Sequence, residues 1–343
     1  MLTTILSGGL IGLIFGFILQ RTRFCLTGGF RDMYIARNNT LFYAFLIEIT
    51  VESIGVLSLI KLGIIGNPYE EFSVLGAIVG SYLFGIGIVL AGGCATGTWY
   101  RAGEGLLGSW VALFFYMTSA AAMKSGFLVP LNQLIAKRWV INDDLAGQLG
   151  IPVWYFLVFL VAITSFVVIR ELRKPRRQIA TLPSKYKGVR HYLFEKTYHK
   201  YFAGFLIGLV ALIAWPASQL TGRVGGLGIT TPSAHLISYI ITGDSKQLGW
   251  GVFLVLGIFL GSFLAAKGSR EFRWRLPDLS TIGKSTLGGI FMGIGASWAG
   301  GCTIGNGLTA TAIFSSKGWI ALPVTILGVW TASYIIFVKP NKN

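Results

Sequence analysis

Ala91-Gly92-Gly93-Cys94-Ala95-Thr96-Gly97-Thr98 has a second copy in Ala299-Gly300-Gly301-Cys302-Thr303-Ile304-Gly305-Asn306. Cys94 and Cys302 stand 208 positions apart, and with Cys25 they are the chain's only three cysteines. Each copy interrupts an apolar block, Ser73–Ala91 in the first case and Ser285–Trp298 in the second. At the same offset Gly80, Gly85, Gly87 and Gly97 fall on Gly288, Gly293, Gly295 and Gly305. Further upstream, at an offset of 200, Arg23-Phe24-Cys25 falls on Arg223-Val224-Gly225. A long segment is therefore written twice.

The blocks around the repeats set the fold class. The 343 residues are 53% hydrophobic and 12% charged, about half the charged share of a soluble domain. Mean hydropathy is +0.67. Apolar blocks near 20 residues are long enough for a hydrocarbon core of roughly 30 Å. They are too continuous for the alternating signal of a membrane β-barrel. The expected fold is an all-α polytopic membrane protein with about nine spans and short re-entrant or broken helices.

The net charge of +16 reads as topology rather than nucleic-acid binding. Ten Lys and Arg lie between Arg170 and Lys200, against two Glu. A second cluster, Lys267–Lys284, contains Arg270, Arg273 and Arg275. Both sit between apolar blocks, and such loops stay cytoplasmic. The first block, Leu2–Leu19, has no basic leader or small-residue cleavage site, so it is expected to stay as a span.

The expected spans are Thr4–Gln20, Leu41–Leu62, Ser73–Ala91, Leu106–Met123 and Pro152–Ile169, then Phe202–Trp215, Gly249–Ala266, Ser285–Trp298 and Gly318–Val338. Phe127–Val140 reads as interfacial, Gln219–Pro232 as irregular and Ser233–Ile241 as amphipathic. The N-terminus and the loops at Asn67–Glu71 and Asp143-Asp144 fall outside, and the C-terminus inside. Residues 1–170 form a first half of five spans, 171–200 a basic cytoplasmic linker and 201–343 a second half of four. An odd number of spans before the second copy inverts it. Secondary transporters use that plan, with the site near the midplane where broken helices meet.

A helix broken inside a membrane exposes N–H and C=O groups that lipid cannot satisfy. It also opens a helix N-terminus, which attracts anions. Gly92, Gly93, Gly300 and Gly301 are the breaking residues. The plainer reading is that glycines allow close packing and buried cysteines are small inert hydrophobes. The repetition at matched positions favours a functional one. Cys25, in Arg21-Thr-Arg-Phe-Cys-Leu-Thr-Gly-Gly-Phe-Arg-Asp32, has arginines around it and reads as a charged mouth. Three scattered thiols lack zinc spacing and the spacing of haem or iron–sulfur sites, so no metal or cofactor is expected. Thiols suit a substrate with an exposed sulfur, and arginines suit anionic oxygens. Thiosulfate has both.

The three cysteine motifs, with Gly-Gly-Cys-Ala-Thr-Gly-Thr-Trp-Tyr-Arg-Ala-Gly-Glu-Gly at 92–105 and Gly-Gly-Cys-Thr-Ile-Gly-Asn-Gly-Leu-Thr-Ala-Thr-Ala at 300–312, resemble the YeeE/YedE family of bacterial sulfur-transport membrane proteins. The resemblance covers about Gly8–Val338. It implies an hourglass-shaped helical protein with an inverted repeat. It also implies a central route on which Cys25, Cys94 and Cys302 pass thiosulfate along by transient S–H···S contacts. Family members are associated with a TusA-like sulfur-carrier protein.

Other residues carry weaker signals. Glu48 and Glu52 share one face of the second span, as proton-coupling groups or as counter-ions for Arg23, Arg31 or Arg101, or for a buried helix end. Arg101 either pairs with Glu104 or attracts anion. Arg223 mirrors Arg23 and is a candidate for drawing anion to the outer face, or for a lipid-headgroup contact. Trp99 and Trp298 read as packing. The expected function is thiosulfate import across a bacterial inner membrane, without catalysis. The alternatives are transport of another sulfur or selenium anion, or a membrane sulfurtransferase that forms a cysteine persulfide.

Overall fold

A computed structural model describes residues 1–174, 187–196 and 198–339. The basic linker expected at 171–200 therefore lies partly outside the described residues, as does the end of the tail. The helices are α1 Leu2–Thr22, α2 Leu26–Ile35, α3 Thr40–Lys61, α4 Val74–Leu90, α5 Ala95–Gly103, α6 Leu107–Ser125, α7 Val129–Ala136, α8 Leu145–Leu149, α9 Val153–Leu172, α10 Val189–Phe194, α11 Lys200–Gln219, α12 Thr230–Thr242, α13 Trp250–Gly268, α14 Leu279–Trp298 and α15 Ser316–Ser333. Short π-helical stretches cover Gly305–Ala310 and Tyr334–Val338. Two-residue strands, β1 Phe72–Ser73 and β2 Val140–Ile141, pair antiparallel.

By length and apolarity, seven helical stretches among the described residues qualify as membrane spans. They become eight when α6 and α7, bent by 71°, count together. All nine expected spans exist as helices. The one outside this set is α14, whose Gly, Ser and Thr content lowers its hydropathy and which packs between α4 and α6. Its glycine-rich stretch from Ser285 to Ala296 is the part buried against those helices. α9 is the opposite case: Tyr155, Val158, Phe159 and Phe166 point outward with large exposed surfaces, as expected of a lipid-facing helix.

Glycine contacts set the helix pairs. α4 and α14 run antiparallel, and a Cβ on Gly80 would lie 2.6 Å from the Gly295 carbonyl oxygen. One on Gly87 would lie 2.9 Å from that of Gly288. Each glycine thus meets the repeat counterpart of the other. α1 packs parallel to α13 through Gly12, Gly16, Gly257 and Gly261. α3 packs parallel to α11, with Gly204 against Ala44 and Gly208 against the Glu48 carbonyl. α14 packs on α6, and α15 on α4. Without water to drive helices together, such small-residue seams carry the association.

A Cβ on Gly12 would sit 2.1 Å from the Leu254 carbonyl oxygen, whereas one on Gly9 would meet nothing within 4 Å. Gly12→Ala is expected to cost about 1–3 kcal/mol by overpacking. Gly9→Ala is expected to be neutral or stabilising, since alanine is the better helix former by about 0.8–1 kcal/mol. Thermal unfolding of the purified variants in detergent checks the contrast; equal melting would mean the seam is loose.

Candidate functional site

The two Gly-Gly-Cys breaks fold alike. α4 ends at Ala91, Gly92 takes the left-handed conformation at φ 71°, and Cys94 begins α5 in extended conformation. α14 ends at Ala299 and Gly300 turns at φ 70° before Cys302. A glycine is the ordinary residue for this stop because it carries no Cβ penalty there. The Cys94 thiol accepts the Gly97 N–H at 3.4 Å. The third break has no glycine. α1 ends at Arg23, itself left-handed at φ 49°, and Cys25 begins α2.

The carbonyls freed at each break are met by side chains. Arg101 Nη1 donates to the Gly92 carbonyl oxygen. Asn306 Nδ2 donates to Ala299 O at 2.8 Å and Gly301 O at 3.3 Å. This settles the Arg101 question against pairing with Glu104: no Arg101–Glu104 ion pair is present among the described residues.

A cavity of about 640 Å³ opens on one face of the molecule. Gly300, Gly301, Cys302 and Asn306 line it, with Trp215, Arg223 and Lys317. A small space of about 10 Å³ lies among the buried residues Phe24, Glu48, Cys94, Thr96 and Ile304. A Cβ on Gly97 would lie 3.5 Å from Cys94 Sγ and 3.7 Å from Cys25 Sγ, so the two thiols flank one point. All three cysteines are free and buried. The structure corrects the reading of Cys25 as part of a charged mouth. The left-handed turn at Arg23 sends that arginine outward to Glu271, 3.5 Å away, and leaves Cys25 inside with 6% exposure.

The acidic residues also differ from expectation. Among the described residues no cation pairs with Glu48 or Glu52: Arg31 is with Asp32 and Arg23 with Glu271. Glu52 Oε1 accepts from Trp215 Nε1 at 2.8 Å. Neither carboxyl oxygen of Glu48 has a hydrogen-bond partner. Pairing with Arg23, Arg31 or Arg101 thus fails. Arg223 is not a free guanidinium. It donates to Gly226 O at 2.9 Å and Gly225 O at 3.4 Å and lies 5.5 Å over the Trp250 ring. Trp99 packs with its Nε1 donating to Ser233 Oγ at 3.0 Å.

Residues 21–331 match the family described as sulphur transport. The chain belongs to that family. It is 54% identical to the thiosulfate transporter TsuA of Escherichia coli (strain K12) over 343 residues, covering 100% of this chain and 97% of the relative. It is 33% identical to the thiosulfate transporter TsuA of Spirochaeta thermophila over 345 residues, covering 96% and 98%. A shorter match, 42% identical over 101 residues, is with the probable transporter YedE of E. coli, covering 29% and 25%. This sulphur-transport protein is thus a multi-pass membrane transporter rather than an enzyme.

Sequence reasoning missed two residues of the transporter's basin, Lys317 and Asp143. Lys317 is the only charged residue between Lys284 and Lys339, and that isolation was the available signal. Asp143, expected in an outer loop, is 3% exposed. It accepts from Ser315 Oγ at 2.5 Å and from the Lys317 N–H at 2.8 Å. Burial pushes its carboxyl above the ordinary range, against the opposing pull of Lys317 and Ser315.

The thiol geometry makes a direct prediction. Mild oxidation of the purified protein is expected to join Cys25 to Cys94 and leave Cys302 free, as read by peptide mass spectrometry without reduction. A Cys94–Cys302 bridge in its place would contradict the arrangement.

Proposed function

We propose that this chain imports thiosulfate across a bacterial inner membrane along a route lined by Cys302, Cys94 and Cys25, in that order. The observation that carries the reading is the placement of the thiols: one lining the basin, one lining a small space among buried residues, and one flanking the same point as that second thiol. The substrate comes from the names of the two full-length relatives. Gly92, Gly93, Gly300 and Gly301 make the breaks that bring backbone dipoles to the route. The ion's terminal sulfur meets neutral or weakly polar thiols in succession, and its oxygens meet cationic and N–H groups. Several weak sites in series allow an ion both to enter and to leave.

In this reading the halves 1–170 and 201–343 are inverted copies. The reciprocal contacts of Gly80 and Gly87 with Gly295 and Gly288 support it. The basin faces outward with the N-terminus. The clusters at 171–200 and Lys267–Lys284 face the cytoplasm with the C-terminus, in keeping with the bias of basic loops. Arg23 and Arg101 then stand at the inner end, and a TusA-like carrier is the receiving partner that the family resemblance implies. Glu48 and Glu52 are the coupling residues. A dianion passing beside Glu48 requires that carboxyl to be neutral, because a like charge at contact distance in a closed apolar space repels it.

Uptake of radiolabelled thiosulfate by cells that lack other thiosulfate transporters tests the route. Cys94→Ala and Cys302→Ala are each expected to lower initial uptake at least tenfold with membrane levels of protein unchanged. Cys25→Ala is expected to do the same. Uptake at wild-type rates in all three variants would make the thiols packing residues and remove the proposal.

A further inference from the structure

The two breaks carry cations of different standing. Over the first, Arg101 Nη1 lies 4.0 Å from where a Cβ on Gly92 would be, and it donates to that residue's carbonyl. Over the second, Lys317 Nζ lies 3.9 Å from where a Cβ on Gly300 would be. The two residues do not correspond in the repeat, so each half brought its cation from a different place. Arg101 comes from the helix that follows its own break. Lys317 comes from the start of α15.

Lys317 has donors to spare. An ammonium carries three N–H groups. Its anionic neighbour among the described residues is Asp143 Oδ2 at 3.8 Å, beyond hydrogen-bond distance. Asp143 does not swing with the lysine. Its other oxygen is fixed by Ser315 Oγ and by the main-chain N–H of Lys317 itself. The carboxylate thus sets where the ammonium stands without occupying it. The side chain is one-fifth exposed and lines the same basin as Cys302. Arg223, the other strong cation on that wall, is held against its own loop, with Nη1 on the Gly225 and Gly226 carbonyls and the guanidinium over the Trp250 ring. Lys317 is the basin cation that stands over the Gly300 break, and its ammonium has no hydrogen bond among the described residues.

We infer that Lys317 is the residue that receives the oxygen end of an incoming sulfur oxyanion at the outer break, and that Asp143 is its positioning residue. The inference rests on the reading that the basin is the outer opening of a sulfur-anion route. The ammonium takes the charged oxygens while Cys302, on the same wall, faces the terminal sulfur. A small dianion with a sulfur at one end and oxygens at the other satisfies both groups. An uncharged thiol compound satisfies only the second, and a monoanion gains less from the first.

Two measurements on purified protein test this. The first is initial-rate thiosulfate uptake into proteoliposomes for wild type, Lys317→Gln, Lys317→Arg and Asp143→Asn. Lys317→Gln is expected to raise apparent KM about tenfold while the maximal rate stays within about twofold. Lys317→Arg is expected to restore KM to within about threefold, and Asp143→Asn to fall between. The second is modification of Cys302 as the only thiol, in a Cys25→Ser/Cys94→Ser background, by negatively and positively charged methanethiosulfonate reagents. With Lys317 present the negative reagent is favoured, and the preference is expected to drop at least fivefold in Lys317→Gln. Lys317→Met serves if the glutamine variant does not fold. An unchanged KM with an unchanged reagent preference overturns the inference even when wild type carries thiosulfate. Loss of the reagent preference, with no thiosulfate uptake by wild type, keeps Lys317 as the anion-receiving group and removes thiosulfate as the substrate.

Discussion

Everything in this molecule turns on unpaired backbone groups inside a membrane. Three helices stop within the protein, after Arg23, Ala91 and Ala299, and each stop frees carbonyls behind it and N–H groups ahead. A buried polar group without a partner costs about 1–3 kcal/mol, and lipid supplies none. Arg101 and Asn306 answer the carbonyls at the two Gly-Gly breaks. The N–H groups ahead of Cys94 are only partly answered, by the soft acceptor of its own thiol at 3.4 Å.

Close packing makes those stops possible. The breaks are short of lipid because α4 and α14 cross antiparallel at glycine distance, with α6 and α15 against them. The α1–α13 and α3–α11 seams hold the outer pairs. Cys302 lines the basin and Cys94 a small space among buried residues as a consequence of where α14 and α4 end. Phe24, Glu48 and Ile304 line that small space with Cys94. On the proposed route an ion passes beside those side chains.

Much of this was readable from the chain alone. The doubled Gly-Gly-Cys located both turns to the residue, because left-handed glycine after an apolar run has one common use. Helix limits followed from apolar blocks, except that α14 is less apolar than its role suggested, being shielded by neighbours. Cys25 was misread because sequence proximity to Arg21, Arg23 and Arg31 says nothing about direction. One left-handed residue at Arg23 points the arginine out and the thiol in. Arginine pairing was one of the readings open for Glu48 and Glu52, and tertiary packing places those arginines elsewhere. Arg223 stood out by its match to Arg23, yet its Nη1 donates to its own loop and its guanidinium lies over Trp250. Lys317 stood in no repeat and no motif, and only three-dimensional placement connects it to Gly300 and Asp143.

The central claim is that a sulfur anion crosses whole, by weak contacts, without leaving sulfur on a cysteine. Thiosulfate labelled separately on its terminal and its central sulfur, offered to proteoliposomes of the purified protein, tests this most directly. The account predicts that both labels appear in the lumen in equal amounts and that neither remains on the protein. Retention of the terminal label on Cys25, Cys94 or Cys302, with the central label left outside, would contradict it.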